Sequence, residues 1–239
     1  MPSPPSVVLL DVGGVFLLPS RDHIRSALAQ VNHAVDDDSA IDRAHYVAAR
    51  VFPMDLGDHE YMGPHWTEYL LSYAAELAVP DEVMEEAVEH LRNEYVTGWL
   101  WSHEIAGSRE GLRRLVDTGV QVGVVSNSDG TIEERLRSQG ILQVGQGEGV
   151  EVVCLVDSGT VGVEKPDPRI FDFALEVLGI GAGEVWYVGD TPGFDITGAL
   201  RAGLTPILMD PFGVNSDFGV TTVASLAAVA EMIERGRTG

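Results

Sequence analysis

The feature that most constrains the fold is a short apolar run that leads directly into an aspartate and two glycines. Residues 7–10 are all valine or leucine, Asp11 follows them, and Gly13 and Gly14 come next. A short, continuous apolar run is typical of a strand buried on both faces of a parallel sheet. Glycine ends such a run because it adopts backbone conformations that other residues avoid. Asp11 is therefore predicted at the carboxyl end of a strand, where open α/β sheets bind their ligands.

Composition narrows the possible partners and the compartment. The chain of 239 residues carries a net charge of −22, which disfavours nucleic acid and anionic membranes because both repel an acidic protein. Cys154 is the single cysteine, so no intrachain disulfide forms, as expected for a reducing cytoplasm. The start of the chain lacks a basic secretion segment, and no apolar run reaches membrane-spanning length. We expect a cytoplasmic protein.

The second half of the chain alternates between two patterns. Short apolar runs predict strands, and amphipathic segments that end at glycine or polar residues predict helices. The predicted strands are 120–125, 152–156, 185–188 and 206–209, and the predicted helices are 109–118, 129–139, 167–178, 198–202 and 223–235. This alternation predicts an α/β fold with a doubly wound parallel sheet.

Residues 19–104 have a different character. All seven histidines and five of the six tyrosines lie there, and the apolar residues recur at helical spacing. Residues 52–64, with proline and glycine near both ends, indicate a loop. We predict a helical domain at 19–104, a core made of 6–18 and 105–235, and flexible tails at 1–5 and 236–239.

Polar residues follow the predicted strands of the core. Ser126 and Asn127 follow the second strand, Lys165 follows the third, and Asp190 and Asp195 follow the fourth. Since the carboxyl ends of parallel strands meet at one edge, these residues and Asp11 are expected to share a site.

Lys165 is notable for its residue type. The chain contains fourteen arginines and one lysine. Where a surface cation was needed, the chain has arginine, so a lone lysine indicates a place that requires a compact ammonium group.

The motifs LLDVGGV, VVSNS, VEKPD and GDTPGFD occur in this order, each after a predicted strand. In these motifs the chain resembles the haloacid dehalogenase superfamily, whose members are mostly magnesium-dependent phosphatases. The resemblance covers residues 6–18 and about 105–235, and the helical region is similar to the family's cap domain. It implies a Rossmann-like core, a hydrolase activity and a small phosphorylated metabolite as substrate.

The same resemblance implies a metal site. Asp11 and Asp190 would hold Mg²⁺, a hard cation that prefers a few carboxylates together with phosphate and water. The backbone carbonyl of Gly13 would be a further ligand. Asp195 would bind the ion through water or steady the site.

The resemblance also implies roles in phosphoryl transfer. Asp11 would attack phosphorus and form an aspartyl-phosphate. Ser126 and the Asn127 N–H would hydrogen-bond a phosphoryl oxygen, and Lys165 would neutralise the charge shared by the nucleophile and the transferring group.

One position departs from the family pattern. The second residue after the nucleophile is usually an aspartate that serves as general acid and base, and here it is Gly13. General acid–base catalysis contributes about 10²- to 10⁴-fold to the rate. A first interpretation is a phosphatase that takes its proton from elsewhere, with His59 and His65 as candidates, or that acts on a good leaving group. Tyr61, His65 and Trp66 are candidates for lining the substrate side of the cap.

Four alternatives to this phosphatase are to be weighed. A haloacid dehalogenase needs no proton for its leaving halide, but it also has no need of Asp190 and Asp195. A phosphonate-cleaving enzyme needs a cap lysine, which residues 19–104 lack, and a phosphomutase relies on the missing acid. A weakened phosphate-binding or regulatory protein is the last alternative. We favour a Mg²⁺-dependent phosphomonoesterase of modest rate.

Overall fold

The structure is a computed structural model that describes residues 3–54, 63–97 and 101–238. Its strands are β1 (Val7–Leu10), β2 (Leu17–Pro19), β3 (Trp101–Glu104), β4 (Gln121–Ser126), β5 (Leu142–Val144), β6 (Val150–Val152), β7 (Leu155–Asp157), β8 (Val185–Gly189), β9 (Thr205–Met209) and β10 (Thr221–Val223). Its α-helices are α1 (Arg21–Ala29), α2 (Asp38–Ala48), α3 (Gly63–Glu76), α4 (Met84–Thr97), α5 (Ser108–Asp117), α6 (Ile132–Ser138), α7 (Ser158–Val161), α8 (Arg169–Leu178), α9 (Thr197–Arg201) and α10 (Leu226–Thr238).

A six-stranded sheet in the order β10-β9-β8-β1-β4-β7 forms the centre of the molecule. Its neighbouring strands are all parallel. Strand β1 lies between β4 and β8, with Leu9 opposite Gly123 on one side and Tyr187 on the other. The predicted α/β fold with a doubly wound parallel sheet is confirmed.

The residues of β1 alternate between two apolar layers. Val8 and Leu10 belong to the layer that contains α5 and α10, whereas Val7 and Leu9 belong to the layer that contains α8 and α9. All four side chains are fully buried. This two-sided burial explains why the strand sequence is continuously apolar.

Several predicted elements have different bounds in the structure; the helix predicted at 129–139, for instance, spans Ile132–Ser138. The predicted strand 152–156 is divided between β6, which pairs with β5, and β7, which pairs with β4. Between them Val153 is exposed, although its N–H still donates to Val122 O at 2.8 Å. The predicted helix 223–235 begins later, at Leu226, because Val223 is the last residue of the edge strand β10.

Helices α1 to α4 surround an apolar core of their own. Ile24 of α1, Ile41 of α2, Tyr73 of α3 and Leu91 of α4 are buried together in it. We call these four helices, with the segments that connect them, the helical insertion. The short antiparallel ribbon of β2 and β3, which the sequence did not predict, joins it to the core. The domain bounds stated above stay a prediction.

The helices in the described part of the chain are short. The longest two, α3 and α4, have 14 residues each. Among the described residues, none of the helices has the length and apolar composition required to cross a bilayer.

Candidate active site

Three buried carboxylates meet at the carboxyl edge of the central sheet. Asp11 follows β1, Asp190 follows β8, and Asp195 lies in the π-helical turn Pro192–Ile196 that comes next. One oxygen from each carboxylate lies within 4.8 Å of the oxygens from the other two. The predicted convergence of strand ends thus brings these residues together.

Lys165 bridges two of these carboxylates. Its Nζ lies 2.9 Å from Asp11 Oδ1 and 2.7 Å from Asp195 Oδ1, and it donates to the Tyr187 hydroxyl at 2.8 Å. The side chain is 2% exposed. Burial alone would lower the pKa of this ammonium, but the charges of Asp11 and Asp195 outweigh burial and raise its pKa, so Lys165 remains charged.

The Asn127 side chain fixes the backbone at Lys165. Its Oδ1 accepts from Lys165 N at 2.8 Å, and its Nδ2 donates to Lys165 O at 3.0 Å. Ser126 is buried at the end of β4, the strand next to β1. The phosphate-binding roles of Ser126 and of the Asn127 N–H stay predictions.

Asp195 uses both of its oxygens in hydrogen bonds with the protein. Oδ1 accepts from Lys165 and from the Tyr187 hydroxyl at 3.1 Å, and Oδ2 accepts from the N–H groups of Asp190 and Thr191 at 3.0 and 2.9 Å. A Cβ at Gly189 would lie 2.3 Å from Asp195 Cγ, so glycine is required there. Asp195 therefore holds the lysine and the following loop in place.

Asp11 is in an unfavourable place for a negative charge. Burial raises its pKa to about 7, with Lys165 lowering it and Asp195 and Asp190 raising it further. Asp11 Oδ1 is ion-paired with Lys165 Nζ at 2.9 Å. A further cation at this position would favour the charged form of the carboxylate.

The backbone of Gly14, the second glycine after Asp11, packs directly against the side chain of Asp190. Gly14 has a φ of +62°, and a Cβ there would lie 2.2 Å from Asp190 Cγ. The residue must therefore be glycine for reasons of both conformation and space. Asp190 Oδ2 accepts from the Thr191 hydroxyl at 3.3 Å and lies 2.9 Å from Nε2 of His45 on α2.

The space beside Gly13 is occupied by an indole ring. A Cβ at this position would lie 3.2 Å from Trp101 Nε1 and 4.0 Å from Asp11 Oδ2. Trp101 belongs to β3, in the ribbon that joins the helical insertion to the core. An acidic side chain at position 13 would require this ring to shift.

Of the candidates in the helical insertion, His59 and Tyr61 lie outside the described residues. His65 Nδ1 lies 3.2 Å from Glu68 Oε2, and its ring lies 6.5 Å from the Phe52 ring. Trp66 packs edge-on against Phe52 at 5.6 Å. These described contacts place His65 and Trp66 against the aromatic residues of the insertion.

Sequence reasoning missed His45, Tyr187 and Trp101. His45 lies on the buried face of α2 with Ile41, Ala44 and Ala48. A histidine on an otherwise apolar helical face is a signal available in the sequence, but it does not reveal which carboxylate the ring will reach. Tyr187 is the one polar side chain within the apolar strand β8.

The site fits a divalent cation. Asp11, Asp190 and Asp195 bring three carboxylates against a single lysine in a buried place, so one positive charge faces three negative ones. Hard divalent cations prefer such oxygen ligands. Asp11 and Asp190 are the carboxylates with oxygens to offer, because those of Asp195 are engaged.

Comparison with known proteins gives a consistent result. The model of the family described as haloacid dehalogenase-like hydrolase matches residues 52–209. A phosphatase of Mycobacterium tuberculosis is 27% identical over 165 residues, which are 69% of this chain and 70% of that protein. A phosphoserine phosphatase of Thermus thermophilus is 40% identical over 67 residues, 28% of this chain. The chain spans only 27% of the Thermus protein's length.

Solved structures share the fold. A putative phosphoglycolate phosphatase from Lactobacillus delbrueckii superposes with a TM-score of 0.60 at 18% identity, covering 96% of this chain and 98% of that one. A 2-haloacid dehalogenase from Pseudomonas syringae superposes with a TM-score of 0.53 at 18% identity, covering 98% and 99%. At such identities the likeness concerns the fold alone.

Proposed function

Because this chain belongs to the haloacid dehalogenase-like hydrolase family, we propose that it is a Mg²⁺-dependent phosphomonoesterase acting on a small phosphorylated metabolite. One observation carries the proposal: Lys165 bridges Asp11 and Asp195, with Asp190 close enough to share one cation with them. The names of several relatives, phosphatases of small molecules, support the substrate class.

In the proposed site Asp11, Asp190 and the Gly13 backbone carbonyl would hold the cation. When bound, Mg²⁺ supplies charge neutralisation for a dianionic phosphate that two carboxylates would otherwise repel. We assign Asp195 the steadying role, because its Oδ1 accepts from Lys165 and its Oδ2 accepts from the N–H groups of Asp190 and Thr191.

The first step is attack by an Asp11 carboxylate oxygen on phosphorus. The O–P bond to Asp11 forms while the bond between phosphorus and the substrate's ester oxygen breaks, and that oxygen takes a proton from water as the alcohol leaves. Lys165 would balance the charge on the attacking carboxylate and on the phosphoryl group. Ser126 and the Asn127 N–H would donate to a phosphoryl oxygen.

The second step is attack of water on the aspartyl-phosphate, which releases inorganic phosphate and restores Asp11. Gly13 contributes no acid or base to either step. We therefore expect either a modest rate, reduced by part of the 10²- to 10⁴-fold that such a group supplies, or a substrate whose alcohol is a good leaving group.

The helical insertion would act as the cap that excludes water and selects the substrate. The burial of the whole carboxylate cluster supports this role: Asp11 is 8% exposed and Asp190 is 2% exposed. Tyr61, His65 and Trp66 remain candidates for contact with the substrate.

The test is a screen of phosphorylated metabolites and 2-haloacids, each with Mg²⁺ and with a chelator. We expect phosphate release that requires the metal. Asp190→Asn, which removes a proposed ligand, should abolish that release. Phosphate release at the same rate in chelator, or none from any phosphate ester, would contradict the proposal.

A second candidate function is dehalogenation of a 2-haloacid. It is favoured by the absence of an acid at Gly13, because a halide leaves without a proton. Halide release in chelator would select it. If neither product forms but inorganic phosphate protects the protein against thermal unfolding, a phosphate-binding protein without turnover is the remaining function.

A further inference from the structure

His45 is one of the points at which the helical insertion touches the proposed cation site. Its Nε2 lies 2.9 Å from Asp190 Oδ2, and both side chains are almost completely buried, with 4% and 2% exposed. Asp190 is a core residue at the end of β8, whereas His45 belongs to α2. A displacement of α2 would therefore move a polar group away from a proposed ligand.

The imidazole is held firmly from the side of the insertion. Its Nδ1 makes a hydrogen bond of 2.8 Å with the hydroxyl of Tyr69 on α3. The rings of Tyr46 and Trp101 meet it edge-on at 5.1 and 6.0 Å. The ring therefore contacts α3 of the insertion on one side and Asp190 of the core on the other.

The next residue of α2 makes a second contact with the same site. The Tyr46 hydroxyl donates to Gly14 O at 2.8 Å, and Gly14 is the residue whose backbone packs against the Asp190 side chain. Thus two adjacent residues of one helix touch the carboxylate and the turn that accommodates it.

The geometry separates His45 from the ligands themselves. Asp11, Asp190 and Asp195 form the group whose oxygens share one ion position, and His45 is not a member of that group. Its Nε2, although close to Asp190, lacks hydrogen-bond geometry and has no hydrogen-bond partner among the described residues. A small rotation of the Asp190 carboxylate would supply one.

We propose that His45 is a positioning residue that couples the helical insertion to divalent-cation binding through Asp190. The inference rests on the cation site of the proposed function. With Nε2 donating to Oδ2, the Asp190 carboxylate is held so that its other oxygen faces the ion, as donors outside a metal's ligand set commonly do. Because coupling is reciprocal, the cation in turn stabilises the position of α2 over the site.

The direct test is Mn²⁺ binding, measured by electron paramagnetic resonance of the free ion. Removing a partner of a metal ligand typically weakens binding about 10- to 100-fold. We expect a loss of this size in His45→Ala, and partial recovery in His45→Gln, which keeps a donor. The matched control is His33→Gln: this insertion histidine contacts Leu77 O within the insertion, and its loss should leave Mn²⁺ binding unchanged.

Hydrogen exchange supplies a readout independent of activity. Mn²⁺ should slow exchange of the α2 amides in the wild type and in His33→Gln, but not in His45→Ala. If His45→Ala does not fold, Tyr69→Phe serves instead, because it removes only the hydroxyl that orients the imidazole.

Two results would overturn the coupling but leave the cation site intact. The first is that His45→Ala equals the wild type in both Mn²⁺ binding and protection of the α2 amides. The second is ¹⁴N coupling to bound Mn²⁺ that disappears in His45→Gln, since that would make His45 a direct ligand. If the wild type binds no Mn²⁺, or if Asp190→Asn binds Mn²⁺ as tightly as the wild type does, the proposed cation site is wrong, and the proposed function is wrong with it. The two failures are therefore distinguishable.

Discussion

The two sides of the candidate site are built differently. On the core side, Lys165, Asp195 and Tyr187 are joined by buried hydrogen bonds that leave neither Asp195 oxygen free. On the side of the helical insertion, the neighbours of the carboxylates are the rings of His45 and Trp101. His45 Nε2 lies close to Asp190 without hydrogen-bond geometry, and the Trp101 indole lies beside Gly13.

This difference bears on which side of the site would determine the type of reaction and which side would determine its rate. A saturated polar network in a low-dielectric place is rigid, because each broken bond leaves a buried group unpaired. The side of the insertion also has buried hydrogen bonds, of His45 Nδ1 with the Tyr69 hydroxyl and of the Tyr46 hydroxyl with Gly14 O, but His45 Nε2 and Asp190 lack hydrogen-bond geometry. In the proposed function, the nucleophile and its charge balance would belong to the core side, while proton supply and access would belong to the side of the insertion.

The largest expected effect is at Asp11, the proposed nucleophile. Asp11→Asn should reduce phosphate release by about 10⁴-fold or more, as loss of a covalent nucleophile does in other enzymes. The fold should persist, because Lys165 keeps its ion pair with Asp195. Steady-state assays and thermal unfolding check both halves. Turnover near that of the wild type would show that Asp11 is not the nucleophile, and would contradict the assignment of the nucleophile to the core side.

Next comes the central lysine of the core side. Lys165→Met leaves two buried carboxylates uncompensated, and removing one partner of a buried pair costs about 3–5 kcal/mol. We expect a loss of that order in the free energy of unfolding, measured with urea, together with loss of activity. Arg169→Met, an exposed cation four residues away, is the control and should leave the midpoint unchanged. Equal effects in the two variants would show that the core side is not a saturated network.

A smaller gain is expected on the other side of the site. Gly13→Asp restores the missing acid but must displace Trp101, so we expect the double variant with Trp101→Phe to show the larger rise in turnover, up to about 10²-fold. Gly13→Ala adds the Cβ without the carboxyl group, so it measures the steric effect on Trp101 apart from the effect of an added acid. If turnover in the double variant does not exceed that of the wild type, proton supply does not limit the reaction.

The smallest effect concerns a single hydroxyl. Tyr187→Phe removes a hydrogen bond to Val125 O at 2.9 Å and contacts with Lys165 and Asp195. Loss of buried hydrogen bonds costs about 1–3 kcal/mol, which urea unfolding measures. The Phe171 ring packs edge-on against Tyr187, so Phe171→Leu changes the packing around Tyr187 without removing its hydroxyl. A reduced kcat in Tyr187→Phe but not in Phe171→Leu would indicate that the hydroxyl positions Lys165.

Much of the core was predictable because its signals are local. The runs around β1, β4, β8 and β9 are apolar since both faces of the sheet are covered, and helices follow them at regular intervals. The division of 152–156 was not predictable, because the run is apolar throughout and only pairing with β5 and β4 decides where one strand ends.

The candidate site was predictable in the same measure. Asp11, Lys165, Asp190 and Asp195 each follow a strand, so the topology of a parallel sheet suffices to bring them together. Which histidine reaches Asp190 was not predictable: it is His45, on the apolar face of α2. The proton-donor roles of His59 and His65 stay predictions, and His65 lies in α3 rather than on a loop.

The sequence by itself determined the parallel sheet, the glycine turn after Asp11 and the polar residues at the strand ends, because periodicity and backbone freedom are properties of neighbouring residues. Only the tertiary structure decided that Trp101 lies beside Gly13, that Tyr187 joins Lys165, and that His45 meets Asp190. These contacts depend on how the helical insertion and the two apolar layers pack, and that packing is set by the shapes of surfaces distant in the chain.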